Sequence, residues 1–301
     1  MSAQVKTLKK KNNWQEHLLG YLFLAPALIV FTMFMFYPML RSIYLSMTIT
    51  DPRGRVAEFV GFENYIDLFS SGQFFTNLKA TLLFILLTVP TCIVWSLFLA
   101  ALTHNKLRGM KLFQFVFSLP IIVSVGTGSI IWLLLFHPTA GMLNYFLSLV
   151  NIPPVSWLSD PKWAMISVSM MTVWMNMGFV YIVLLSGLQG IPDEIYESAK
   201  IDGAGPARTF VRIVLPLLSP VIFFVLVVSI IGAFQAFGQI HILTRGGPVN
   251  ATNVVVYQIY QDAFINFRFG IGSAQALVLF LIILALTVLQ FTVLERKVHY
   301  Q

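Results

Sequence analysis

Charge is scarce in this chain, where Asp, Glu, Lys and Arg together make up 10 % of 301 residues. Soluble globular domains carry about 25 %. With 57 % hydrophobic residues and a mean hydropathy of +0.81, a water-soluble fold would have nowhere to hide its apolar surface. Cysteine is scarcer still. The one cysteine, Cys92, lies inside an apolar run, which excludes a disulfide framework or a four-cysteine metal site within the chain. Cys92 therefore reads as a packing residue. The five histidines, His17, His104, His137, His241 and His299, stand near the ends of apolar runs or between them and form no HExxH pattern. They read as solvated or interfacial groups, and no metal site is expected. The phosphate-cradling pattern GxxxxGKS/T is also missing, so this chain is expected to bind no cofactor, and any ATP must be hydrolysed by another polypeptide.

What the sequence has is apolar length. Crossing about 30 Å of hydrocarbon takes about 20 apolar residues in a helix, because no water is there to satisfy any other backbone. Six runs meet that requirement: Leu18 to Leu40, Ala80 to Leu102, Leu112 to Phe136, Trp163 to Leu188, Pro216 to Ile240 and Ile271 to Leu294. The expected fold is an all-α integral membrane protein with six transmembrane helices. None of the six contains Asp, Glu, Lys or Arg. A proton- or sodium-driven carrier keeps ionisable groups at membrane depth, and an intramembrane hydrolase needs a nucleophile and base there. Both classes are disfavoured. A self-sufficient channel or carrier would move solute with this chain alone, which separates that reading from one needing partners.

The formal charge of +7 does not point to nucleic acid, since the cations sit between apolar runs and act as topology signals. Twelve cations fall on one side: Lys6, Lys9, Lys10, Lys11, Lys106, Arg108, Lys111, Lys200, Arg208, Arg212, Arg296 and Lys297. The other side holds seven, namely Arg41, Arg53, Arg55, Lys79, Lys162, Arg245 and Arg268. Cytoplasmic segments carry the excess, so both termini are expected in the cytoplasm, with residues 1–16 as a tail and 17–301 as the transmembrane domain. The first run has a lysine-rich start but no small-x-small exit, which argues against a cleaved signal sequence. Two outward segments are long, Thr48 to Thr76 and His137 to Lys162. The second carries Pro153, Pro154 and Trp157, which would suit a belt at the membrane surface.

The segment between the fourth and fifth runs, about 191–216, holds the densest information. Pro192 suits a first helical position, Asp193 and Glu194 suit the positive end of a helix dipole, and Gly203 with Gly205 can stop the helix after Asp202. Pro206 then opens a second helix, and Pro216 is expected to kink it at the membrane. Ile195, Ser198, Ala199 and Asp202 recur at helical spacing and predict a small, partly apolar docking face. Acidic residues on this helix disfavour an anionic lipid surface, so a protein groove is the better partner.

These residues resemble the EAA loop of binding-protein-dependent ABC importer permeases, with Glu197, Ala199, Gly203, Ile213, Leu215 and Pro216 on the motif and Ser198 in place of its middle alanine. FLAPALIVFTMFMFYP (23–38), FVGFENYIDLF (59–69), LTRGGPVNAT (243–252) and GIGSAQA (270–276) extend the likeness along nearly the whole chain. They look like the carbohydrate-type members, and TDPRG (50–54), GGPVNATNVVVYQIYQDAF (246–264) and LERKVHYQ (294–301) look most like the glycerol-3-phosphate group among them. The resemblance implies a type I ABC importer permease fold in a bacterial inner membrane. It implies a second permease subunit, an ATPase dimer using ATP and magnesium, and an extracytoplasmic solute-binding protein. It also implies that the loop, with Asp202 as a neighbouring polar contact, couples to the ATPase.

Among the polar side chains inside the runs, Asn176, Ser229, Gln235, Gln239 and Gln275 are the candidates to line a solute path. Their amides and hydroxyl suit sugar hydroxyls, and Trp174 or Phe234 suits a sugar face. An equal reading is that they join helix to helix. For a phosphorylated solute, Arg245 is the nearby cation. The candidate solutes are a sugar, sn-glycerol-3-phosphate, another polyol, a glycerophosphodiester or an oligosaccharide.

Overall fold

A computed structural model describes residues 14–104 and 107–294. The topology cations Lys6, Lys9, Lys10, Lys11, Lys106, Arg296 and Lys297 lie outside the described residues, as do His299 and the side chain of His17. Four helices are long and apolar enough to cross a membrane: Leu18–Leu45, Gln73–Thr103, Pro161–Gln189 and Phe269–Val293. Two further apolar stretches are bent pairs, Met110–Ile122 with Val125–Leu135 at 104°, and Pro206–Leu217 with Ser219–Phe234 at 67°. In chain order these are segments 1 to 6, with the bent pairs as segments 3 and 5.

Two of the six expected crossings, Leu112 to Phe136 and Pro216 to Ile240, thus fall on bent helix pairs instead of single helices. In segment 3 the backbone tightens to a 3-10 turn over Leu119–Ile122. Extended Val123 and Ser124 follow, and the Ser124 hydroxyl accepts from the Thr127 N–H at 3.2 Å to cap a new helix. In segment 5 the bend falls at Leu218, between Pro216 and Pro220, two residues later than expected. The helix that follows stops at Phe234, and Gly238–Leu243 is a separate short helix. Hydropathy reports how apolar a stretch is and carries nothing about its direction.

Two widened helical turns explain how prolines are tolerated. Thr32–Phe36 and Phe210–Val214 are π turns, each ending two residues before a proline, Pro38 and Pro216. A proline ring clashes with the carbonyl four residues back, and a wider turn moves that carbonyl aside.

Segments 2 and 4 form the centre. Between them and segment 5, Cys92, Tyr181, Leu184, Leu188, Val214 and Leu218 make one buried cluster. Phe84, Met171, Ile240 and Tyr257 belong to a second, and Phe74, Phe234, Val255 and Leu279 to a third beside segment 6. Cys92 is 3 % exposed, in the packing role its surroundings predicted. Segment 1 is the opposite case: its most apolar window is 0 % buried, and only its end, Tyr37–Leu45, packs on segment 6. An exposed surface of Leu, Phe and Met is what a lipid-facing helix needs.

The two long segments, Thr48 to Thr76 and His137 to Lys162, are more structured than mere connectors. Thr48–Thr50 pairs antiparallel with Val56–Phe59, a small departure from the all-α expectation. The helix Glu63–Ser70 is tied to it, because Asn64 Nδ2 donates to the Ser46 and Thr48 carbonyls at 2.9 and 3.0 Å. In the second segment Asn144 is the hub. Its amide donates to Pro138 and Val155 carbonyls at 2.8 and 3.0 Å, and its oxygen accepts from Val155 N–H and Trp157 Nε1 at 3.0 and 2.9 Å. Trp157 is accordingly buried, which corrects its expected place in a surface belt, while Pro153 and Pro154 stay exposed.

Candidate functional site

The loop between segments 4 and 5 folds as its residues dictate. Its helix spans Asp193–Ile201, with Pro192 just outside it in the capping position rather than at the first helical one. Asp202 closes the helix, and Gly203 adopts a left-handed φ of 75°. The Gly203 N–H donates to the Lys200 carbonyl at 3.0 Å and the Ala204 N–H to the Ala199 carbonyl at 2.9 Å. This is the paired closure of a Schellman motif, which needs a residue able to take positive φ. A Cβ on Gly203 would meet nothing within 4 Å, so the glycine serves backbone conformation and not space. Gly205 then caps Pro206–Thr209, which begins at Pro206 as its sequence predicts.

The face expected to dock divides in two. Ile195 and Ala199 turn inward, Ala199 being 4 % exposed and Ile195 packed on the cluster of Leu188, Val214 and Leu218. Glu194, Glu197, Ser198 and Asp202 turn outward. The correction is that only Ile195 and Ala199 of that face lie against the helix's own chain, while Ser198 and Asp202 do not. Beside the outward polar residues stands Ile201, 86 % exposed, a residue the sequence reading passed over. Of the remaining motif positions, Ile213, Leu215 and Pro216 are half-buried where the loop enters segment 5.

Behind the helix lies a cavity of about 960 Å³, walled by the ends of segments 2 and 4, by Tyr196 and Glu197, and by Phe210 and Val214. Tyr196 bridges its edge, its ring stacked on His104 with centroids 5.9 Å apart. The Tyr196 hydroxyl is buried without a hydrogen-bond partner. Burial, and then the charge of Asp193, push it above the usual phenol range, so it stays neutral at physiological pH. The ends of segments 2, 3 and 4 are pinned together here: Thr103 Oγ1 and Tyr181 hydroxyl are 2.6 Å apart, and Gln114 Nε2 donates to the Thr103 carbonyl at 2.7 Å.

Segment 5 bends directly against segment 4. A Cβ on Gly187 would come within 2.6 Å of Leu218 Cδ1 and 2.9 Å of Val221 Cγ2. Gly187 thus lets the hinge residue Leu218 seat on its neighbour, a role visible in sequence only as a glycine in a helical run.

The polar residues of the runs separate into groups. Gln239 and Gln275 are buried and bonded inside the chain, Gln239 Nε2 to Thr172 Oγ1 at 3.4 Å and Gln275 Nε2 to Asp262 Oδ2 at 2.9 Å. For these two the helix-joining reading holds. Phe234 is 1 % exposed within the third cluster and offers no face to a sugar. Asn176 and Gln235 are exposed, and Trp174 and Ser229 half-buried, with Trp174 against Trp132 at 6.1 Å. Arg245 is exposed with φ 51°. Asp262, buried at 5 %, is the acid that reading by runs missed, because it lies between segments 5 and 6. Among the described residues no group of three His, Cys, Asp or Glu side chains could hold a metal ion.

Bent and straight apolar helices, with a short charged helix and glycine elbow at one end, have the make-up of an integral membrane component. The family model described as binding-protein-dependent transport system inner membrane component matches residues 59–300. The chain belongs to that family and is a permease subunit of an ABC importer, not a catalytic enzyme. It is 37 % identical over 286 residues to the sn-glycerol-3-phosphate transport system permease protein UgpA of Yersinia pestis bv. Antiqua (strain Antiqua), covering 94 % of this chain and 96 % of that one. It is 36 % identical to the protein of that name from Agrobacterium fabrum (strain C58 / ATCC 33970), covering 94 % and 97 %. A crystal structure of a bacterial ABC transporter involved in import of the acidic polysaccharide alginate shares the fold, with a TM-score of 0.81 and 24 % identity over 94 % of this chain and 97 % of that chain. The alginate transporter in complex with alginate pentasaccharide-bound periplasmic protein gives the same TM-score at 23 % identity, covering 97 % and 100 %.

Proposed function

We propose that this permease takes up a carbohydrate-type solute, a sugar or sn-glycerol-3-phosphate, through a bacterial cytoplasmic membrane that it crosses six times. Both termini and the Asp193–Ile201 helix lie in the cytoplasm in this reading, with residues 1–16 as the tail and 17–301 as the permease domain. Each bent pair then counts as one crossing, and the cation distribution supports that orientation. The partners are a second permease subunit, a dimer of ATPase subunits that use ATP and magnesium, and an extracytoplasmic solute-binding protein. Relatives named for sn-glycerol-3-phosphate and a fold shared with an alginate importer support the solute class. Another polyol, a glycerophosphodiester or an oligosaccharide remains the alternative.

The observation that carries the coupling role is the outward face of the Asp193–Ile201 helix. An isoleucine 86 % exposed beside Glu197, Ser198 and Asp202 is an apolar anchor within a polar rim, the composition of a protein-binding spot. In the assembled importer this face, closed by Gly203, sits in a groove of the ATPase subunit. Ile195 fastens the helix to the cluster of Val214 and Leu218, and the Ile213, Leu215 and Pro216 turn carries its displacement into segment 5. ATP binding inside and a loaded binding protein outside each favour one of two arrangements, and a population shift between them moves the solute. Trp174, Asn176, Ser229 and Gln235 are the pathway candidates, while the Gln239 and Gln275 amides are engaged by Thr172 and Asp262.

Co-purification with the ATPase subunits tests the anchor. Burying an isoleucine contributes about 1.5–3 kcal/mol, so Ile201→Asp is expected to weaken ATPase association by about 10- to 100-fold while the permease still inserts. Unchanged association and solute-stimulated ATPase activity would remove the helix from the coupling contact.

A further inference from the structure

Segment 4 reaches the Asp193–Ile201 loop at Leu188, so its start at Pro161 lies about 40 Å away at 1.5 Å of rise per residue. At that far end the helix Met142–Leu149 stands between segments 3 and 4. Two residues hold it on its own chain. At Gly141 a Cβ would run into the Leu135 and His137 carbonyls, so the helix starts hard against the end of segment 3. Asn144 accepts from Trp157 Nε1, and the Trp157 carbonyl accepts from Ser167 Oγ at 2.8 Å, which ties the helix to segment 4 as well.

With Asn144 turned inward, the opposite face of the helix is apolar. Met142, Tyr145, Phe146 and Leu149 recur at spacings of three and four, and Val150 and Ile152 extend the stripe; all six are 46–64 % exposed. The exposed polar residue of the helix, Ser148, stands to one side of them. A contiguous apolar patch of this size needs a cover.

Three covers are separable. A protein that comes and goes would leave the stripe in water between visits, which apolar surface opposes. A permanent protein neighbour calls for a polar rim around an apolar centre, with arginine enriched, yet no charged residue occurs between His137 and Asp160. The exposed charges Arg53, Arg55, Glu63 and Asp67 belong instead to the strand pair and the helix Glu63–Ser70. A bilayer calls for no rim, and the stripe follows directly on the exposed Ile130, Leu133 and Leu134 of segment 3, as a lipid-facing surface continues. We propose that Met142–Leu149 is an interfacial helix, with Met142, Phe146 and Leu149 at the acyl boundary of the leaflet on that side and Tyr145 nearer the headgroups. Through Gly141, Asn144 and Trp157 the leaflet then holds the far ends of segments 3 and 4. Having no cation, the helix takes neutral and anionic lipid alike.

Cys92 is the chain's single cysteine and is buried, so a nitroxide label can be directed to a new cysteine. The test places it by Phe146→Cys and, as the reference, by Ser148→Cys, with Leu149→Cys repeating the measurement if the first label disturbs assembly. The importer, assembled with cysteine-free partner subunits in nanodiscs of neutral or of part-anionic lipid, is read by EPR accessibility to oxygen and to nickel-EDDA. The Phe146→Cys label is expected about 5–10 Å below the headgroups, in both lipids and with or without ATP and binding protein, while the Ser148→Cys label meets nickel. Nickel reaching the Phe146→Cys label would mean water or a transient partner. A label closed to both reagents would mean a protein neighbour, and a depth that requires anionic lipid or shifts with ATP would deny a neutral, fixed anchor. Any of these results overturns the proposal. No solute enters the measurement, so its outcome is separate from that of the carbohydrate reading.

Discussion

The contact between Gly187 and the bend of segment 5 makes a quantitative claim about how loop motion reaches segment 4. Replacing Gly187 by alanine has two opposed effects. In a helix interior alanine is favoured over glycine by about 1 kcal/mol. Against that, the new methyl meets Leu218 Cδ1 at 2.6 Å, Val221 Cγ2 at 2.9 Å and Val221 Cγ1 at 3.2 Å. Leu218 is 1 % exposed and has little room to retreat, while Val221 is β-branched and stiff. Overpacking of this kind costs about 1–3 kcal/mol, so the clash outweighs the propensity gain and the net loss is about 1 kcal/mol. The strain falls on the hinge itself. Expected is a complex that assembles with normal basal ATPase activity but shows solute-stimulated activity and uptake reduced about fivefold. Leu218→Ala removes the nearest methyl, so Gly187→Ala with Leu218→Ala should be less impaired than the two single changes predict, by a coupling of about 1 kcal/mol. Full stimulated uptake in Gly187→Ala, or strict additivity in the double variant, would refute the claim that this contact passes motion between the two segments.

The elbow separates conformation from space. Gly203→Asn, which tolerates positive φ, should leave the coupling ratio nearly unchanged, whereas Gly203→Val costs about 1–2 kcal/mol of backbone strain and should lower ATPase co-purification. If the two behave alike, the left-handed turn is not what matters at that position. Asn144→Ala strips the hydrogen-bond acceptor from Trp157 and from the Val155 N–H and should cost about 2–3 kcal/mol, read as a lower melting temperature and a red-shifted tryptophan emission. Gln275→Leu takes a donor from a buried carboxylate and should destabilise by about 2–3 kcal/mol. Gln239→Leu loses only a 3.4 Å contact to a neutral hydroxyl and should cost less than about 1 kcal/mol. Equal melting temperatures for these two variants would contradict the charge argument.

Apolar length was legible because the bilayer imposes it on composition directly: the ends of segments 4 and 6 fall within two residues of their apolar runs, while segment 2 begins well before its run, at Gln73. The 104° turn in segment 3 was not, since Val123 and Ser124 differ from their neighbours in backbone dihedrals and hardly in hydropathy. The elbow was legible for the opposite reason: Gly203 and Pro206 act through their own backbone, so their positions carry the geometry without help from distant residues. The inward and outward faces of the Asp193–Ile201 helix could not be assigned that way. Ile195, Ala199 and Ile201 are all apolar or small, and which of them turns inward depends on where Val214 and Leu218 come to rest after a bend that the sequence placed two residues early. The same logic explains the missed acid. Asp262 reads as an ordinary loop carboxylate until segment 6 brings Gln275 to it across thirteen positions.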